Sequence, residues 1–148
     1  MTAARLDALA SALGSGWTVT PRGRGEVLLR FNDGEDFEAA ARRCTDGRLR
    51  DAYPVSAHDV EIYTIAASGQ SSHRLAELTH AILAADPYCR RIVFGAPAGD
   101  STTLAAVREA GFRHVVDVDV PGAELSLLVA EPSWVTGLDA GLDRVPGT

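Results

Sequence analysis

Apolar residues recur along the chain with two different periods, and the changes of period mark out its elements. Over residues 3–13, Leu6, Leu9, Ala10 and Leu13 fall at helical spacing and Gly14 and Gly16 stop the pattern, which predicts a short amphipathic helix. Two β-rich runs follow, Trp17 to Thr20 and Val27 to Phe31, separated by Pro21-Arg22-Gly23-Arg24-Gly25, and read as a hairpin with a flexible tip. Asp33 and Asp36 flank the start of an expected second helix through Phe37, Ala40 and Ala41, ending near Asp46-Gly47.

From there the alternation is regular. Val60 to Ile65 reads as a strand. Ser71 or Ser72 caps a helix with the stripe Leu75, Leu78, Ile82 and Leu83, which Asp86-Pro87 ends. Arg91 to Phe94 reads as a short buried strand and Gly95 to Gly99 as a loop. Asp100 or Ser101 then caps a helix through Leu104, Val107 and Ala110, with Gly111 at its C-terminal turn. Val115 to Val120 and Leu125 to Val129 are two strands broken by Pro121-Gly122. A strand–helix–strand unit needs a crossover, so the strands near 60–66 and 91–95 are expected as parallel neighbours, and the closing pair adds antiparallel character. The fold class is α/β (α+β), a mixed sheet with helices packed on it. Residues 1–131 form one domain in this reading, and 132–148 a tail that frays beyond an anchor at Trp134.

The 148 residues suit a single domain with its own core. Two cysteines, Cys44 and Cys89, support neither a disulfide framework nor a zinc cluster, and no metal set is expected. No apolar run approaches a membrane span, so no membrane partner and a cytoplasmic location are expected. All fourteen basic residues are arginine, and against twenty acids they leave a net charge of −6. Residues 1–74 carry nine arginines and ten acids, residues 75–148 five and ten. That balance disfavours general nucleic-acid binding. It leaves a local patch of Arg22, Arg24, Arg30, Arg42, Arg43, Arg48 and Arg50, which solvated faces of hairpins and helices also explain.

Three stretches together carry a family resemblance: Asp86-Pro87-Tyr88-Cys89-Arg90-Arg91-Ile92-Val93-Phe94, then Ala106-Val107-Arg108-Glu109-Ala110-Gly111-Phe112-Arg113, then Val118-Asp119-Val120-Pro121. Over about residues 58–131 the chain resembles the GNAT superfamily of acyltransferases, nearest the branch acting in siderophore and related secondary metabolism. The resemblance implies a GNAT-like mixed β-sheet with splayed parallel strands flanked by helices. It also implies an acyl-CoA in the gap, with pantetheine against the strand backbone at Ile65, Ala66 and Ala67 and pyrophosphate at the helix start formed by Gln70, Ser71, Ser72, His73 and Arg74. His73 and Leu75 stand where that loop carries glycine or alanine, and Asp100 and Val107 stand where many members carry asparagine and a thiol-protonating tyrosine. The donor is accordingly an acyl-CoA, or a carrier-protein thioester or aminoacyl-tRNA whose handle stays outside the cleft. The acceptor is the amine of a small metabolite. A catalytically silent module of the same fold is the alternative, and an exposed sheet edge is compatible with a homodimer.

Glu61 interrupts an otherwise apolar strand, and the resemblance, in which a carboxylate or histidine on the splayed strand accepts the amine proton, makes it the candidate general base; otherwise it is a residue on the solvated face of an edge-exposed strand. Tyr63 shares its face and is a candidate donor to a tetrahedral oxyanion, or else packs. His58 and Asp59 form a weaker orienting pair. His80 belongs on a helix surface, and Cys89 lacks an activating base.

Overall fold

The computed structural model of the chain describes residues 9–23, 25–31, 37–67 and 71–132. The expected helix over 3–13 appears as α1, Leu9–Ala12, its earlier residues lying outside those described. The hairpin is β1, Trp17–Arg22, and β2, Glu26–Phe31, paired antiparallel from Trp17↔Phe31 to Arg22↔Glu26.

The second helix expected through Phe37, Ala40 and Ala41 is instead a strand, β3, Phe37–Arg43, leading into two 3-10 turns at Cys44–Asp46 and Arg48–Arg50. Its alanines favour a helix intrinsically, but the strand lies between two others and Ala39, Ala40 and Ala41 have no exposed surface. Small side chains suit such a position because both faces are covered, and tertiary packing outweighs local propensity. Asp33 and Asp36 lie outside the described residues.

The remaining elements are β4, Val60–Ala67; α2, Ser71–Ala85; β5, Ile92–Pro97; α3, Ser101–Glu109; β6, Arg113–Val120; and β7, Ala123–Ala130. Gly95, Ala96 and Pro97, expected in a loop, extend β5 and pair with Leu127, Ser126 and Leu125 of β7. Asp100 caps α3 by accepting from Thr103 N at 3.1 Å, and Gly111, after the last turn, has φ +107°. The tail from residue 133 lies outside the described residues.

The sheet has seven strands in the order β1-β2-β3-β4-β5-β7-β6, with β4 and β5 its parallel pair. Along β2, β3 and β4 the residues Val27, Leu29, Phe31, Phe37, Ala39, Ala41, Val60 and Ile62 share one core with Leu75, Leu78 and Ile82 of α2 and Val107 of α3. Burying each large side chain there contributes about 1.5–3 kcal/mol. Because side chains alternate along a strand, the intervening residues face the other way. On that face Val93, Leu125, Leu127 and Val129 form a second core with Cys44 and Leu49 of the 3-10 segment.

Candidate active site

β4 and β5 pair only from Val60↔Ile92 through Ile62↔Phe94, although β4 runs on to Ala67 and β5 to Pro97. Past that point each strand keeps its other neighbour, β3 for β4 and β7 for β5, so the two part and leave a slot between them. The register between β3 and β4 supplies a cause. Ala39 opposes Thr64 and Glu38 opposes Ala66, which leaves Ile65 as an extra residue, and a bulge of this kind bends and twists the strand that carries it. The backbone of Ile65, Ala66 and Ala67, singled out in the sequence for contact with a donor, lies along this stretch.

On the helical side, beside Thr64 of the diverging part of β4, lies a cavity of about 160 Å³ lined by Phe37, Thr64, Leu75, Thr102, Thr103 and Val107, among others. Val107, expected from the resemblance to stand where a tyrosine is common, is 2% exposed and belongs to the core. The α2 terminus beside it does not gather its predicted residues onto one point. Gln70 lies outside the described residues and the Ser71 side chain is not described. Ser72 Oγ donates to Glu109 Oε1 of α3 at 2.7 Å. His73 is exposed and lines a groove between α2 and Ala12. Arg74 stacks over the Phe31 ring at 3.8 Å and donates to Glu77 Oε1 at 2.7 Å.

Glu61 and Tyr63 lie on the opposite face, and they do meet. Glu61 is fully buried on a strand interior to the sheet, so the edge-strand position is not the one it holds. Its Oε1 accepts from Arg42 Nε at 3.3 Å and its Oε2 from Arg48 Nε at 2.9 Å. Tyr63 OH accepts from Arg22 Nη2 at 3.0 Å and shares its own proton between the Glu26 oxygens at 3.3 and 3.4 Å. Glu26 also accepts from Arg22 Nε at 2.8 Å and from Arg42 Nη1 at 3.2 Å. Its hydrogen bond is the main reason the Arg22 guanidinium is held above its ordinary pKa. Arg22, Glu26, Arg42 and Glu61 thus form a row of alternating charge across four strands.

Sequence reading named Arg22, Arg42 and Arg48 only within a loose patch, and missed Glu26 and Gly95. The one available signal was Glu26 standing four residues after Arg22 across the hairpin turn. Gly95 is needed for a close approach: a Cβ there would lie 3.1 Å from Arg48 Nη2 and 3.6 Å from Glu61 Oε2.

The weaker candidates fall elsewhere. Asp59 is buried and pairs with Arg91 Nη2 at 3.0 Å, while the His58 ring packs on Tyr88 at 5.5 Å, so the two neighbours do not orient each other. Arg43, from the arginine patch, is fully buried and pairs with Asp86 at 2.6 Å. Burial pushes the Cys89 thiol up to about 12 and raises Cys44 as well. Among the described residues no group of three or more His, Cys, Asp or Glu is placed to hold a metal ion, and no helix is long and apolar enough to cross a membrane.

No family model matches the sequence, and no curated protein is detectably similar to it in sequence. Solved structures are similar in fold. An uncharacterized protein from Bacillus halodurans superposes with a TM-score of 0.61 at 14% identity over 85% of this chain, which spans 64% of that protein's length. Aminoglycoside acetyltransferase AAC(6')-Ib in complex with coenzyme A gives 0.62 at 13% identity over 73% of this chain and 67% of the other. Ribosomal-protein-alanine N-acetyltransferase from Brucella melitensis gives 0.53 at 19% identity over 73% and 70%. The chain's mixed α/β fold, with its seven-stranded sheet, matches the GNAT fold of the two acetyltransferases.

Proposed function

We propose that this chain is an N-acyltransferase that moves an acyl group from an acyl-CoA to the amine of a small molecule. The observation that carries the reading is the parting of β4 and β5 beyond Ile62 and Phe94, which leaves strand backbone free to meet a donor. Coenzyme A and acetyl-CoA in complexes of AAC(6')-Ib support the donor class, and kanamycin in another supports a small-molecule acceptor. The placement in secondary metabolism, like the siderophore branch, rests on the sequence resemblance alone.

The residues fit such a donor in the slot and less well at the α2 terminus. The arm of the donor is served by β4 amides and by the cavity behind Thr64. Where its pyrophosphate would approach α2, Ser72 holds the Glu109 carboxylate, a like charge. A carrier-protein thioester or an aminoacyl-tRNA as donor is the form of this reading that avoids the terminus.

The reaction forms a C–N bond as the amine attacks the acyl carbonyl and breaks the C–S bond of the thioester. The attacking nitrogen gives up a proton, and the departing thiolate takes one. Holding amine and carbonyl together in the slot supplies most of the acceleration, with strand N–H groups donating to the developing oxyanion. Glu61 is the proton acceptor in this proposal and Tyr63 the neighbouring hydroxyl donor. With Val107 in the core, the thiolate collects its proton from solvent.

The Ser72–Glu109 contact favours a second reading, a silent module in which α2 no longer receives an anion. Melting temperature measured with CoA, acetyl-CoA and longer acyl-CoAs separates the two. The enzyme reading expects an increase, corresponding to about 2.7 kcal/mol at one hundred times the dissociation constant. A melting temperature that none of these compounds moves rejects the acyl-CoA reading.

A further inference from the structure

The charged row beside the slot has binding capacity beyond the pairing of its own members. Arg22, Arg42 and Arg48 face Glu26 and Glu61, three guanidinium groups to two carboxylates, so one positive charge is uncompensated within the row. Both carboxylates are already engaged by arginine. Arg48 is engaged at one nitrogen: its Nε donates to Glu61, and its Nη1 and Nη2 groups have no hydrogen-bond partner among the described residues. Those two nitrogens carry four N–H donors. The Arg48 side chain is 29% exposed, so a ligand can reach them.

Position makes this spare fork significant. Arg48 Nη2 hangs 3.1 Å from where a Cβ of Gly95 would be, and Gly95 is the first residue of β5 past its last pairing with β4. The fork therefore lies over the parting of the strands. It is held there by Glu61 at Nε and by the face of Tyr63, 5.5 Å from the guanidinium carbon, with Arg42 at 5.2 Å from the same ring. Arg42 itself lies against the 3-10 segment at Gly47, where a Cβ would come within 2.5 Å of Arg42 Nε. Two guanidinium groups thus share the Glu61 carboxylate and the Tyr63 ring on the face opposite the cavity, and of the two it is Arg48 whose unused nitrogen lies at Gly95.

We propose that Arg48, supported by Arg42, binds a carboxylate of the acceptor, so that the acceptor is an amine that also carries a carboxylate group. The assignment of that amine as acceptor rests on the acyl-transfer reading, whereas binding of the carboxylate does not. A planar fork matches a carboxylate in two parallel hydrogen bonds, a geometry a lysine ammonium lacks. Glu61 then acts also as a positioning residue: by taking Nε it directs Nη1 and Nη2 outward.

The test uses glycine, β-alanine and 4-aminobutyrate, each beside its carboxamide, in titration calorimetry and thermal melting. The proteins are the wild type, Arg48→Gln, Gly95→Ala and Arg30→Gln, their folding checked by circular dichroism. At least one carboxylate is expected to bind and to raise the melting temperature while its carboxamide does not. Arg48→Gln is expected to weaken that binding about tenfold or more, as loss of a hydrogen bond to a charged group does. Arg30→Gln, which breaks only the exposed pair with Glu38, is expected to leave it unchanged. Gly95→Ala displaces the end of a flexible side chain, so it is expected to fold normally and still weaken binding. Equal binding of the carboxamides, binding by no carboxylate, or undiminished binding to Arg48→Gln overturns the proposal. If acyl-CoA leaves the melting temperature unmoved, the transfer reading fails while the carboxylate result stands.

Discussion

Glu61 has no exposed surface and gives an oxygen to each of two guanidinium groups, and that arrangement sets how it can act. Glu61→Gln keeps the shape of the side chain but removes the charge that Arg42 and Arg48 face. Steady-state kinetics of Glu61→Gln are expected to show kcat lowered at least tenfold at neutral pH. A change confined to KM assigns the carboxylate to holding its arginines alone. At this scale the sequence was partly legible: Glu61 and Tyr63 stood out as chemistry inside an apolar strand. Their partners did not, because Arg42 and Arg43, consecutive in sequence, go to opposite faces of the sheet. One joins the charged row, and the other is buried against Asp86. Only the strand character of β3 separates them, and its alanines conceal that character.

Helix α3 starts at a carboxylate whose protonation couples to folding. The side chain of Thr103 donates to Asp100 Oδ2 at 2.7 Å and its backbone N–H to Oδ1 at 3.1 Å, and these bonds hold the Asp100 carboxyl below the usual carboxylate range. A lowered folded-state pKa stabilises the protein above the unfolded value, about 3.9. That stability is lost as pH falls through the folded value. Urea midpoints of the wild type and Asp100→Asn between pH 7 and pH 3 are expected to differ at neutral pH and to converge toward the acid end. A constant difference across the range rejects the cap as its source. The cap, α2 and the β6–β7 hairpin were legible because their signals are local. The bulge at Ile65 was not, since it is a relation between β4 and a strand read as a helix.

Across the whole molecule, the sheet separates two cores, and each holds one of the thiols. Cys44 lies in the core with Leu49 and Val93 and Cys89 in the one with Ile92 and Leu78, and burial raises both thiol pKa values. The thiolate is the reactive form, so neither cysteine is expected to react with a disulfide reagent in the folded protein near pH 8. Labelling rates in increasing urea are expected to follow unfolding. Prompt reaction of either thiol without denaturant contradicts the burial described. The strand–helix–strand order anticipated the parallel pair, and a resemblance carried mainly by the second half of the chain anticipated its splay. Neither anticipated that the first half supplies the charged face of the slot, because that face depends on cross-strand register and on how the 3-10 segment folds back.

The basic lining of that slot is built from guanidinium groups alone, and the chain contains no lysine. Guanidinium stays protonated at any pH the protein tolerates, with no free lone pair to offer an electrophile. In the acyl-transfer reading proposed above, an activated acyl group would therefore lie against these guanidinium groups without being captured by them.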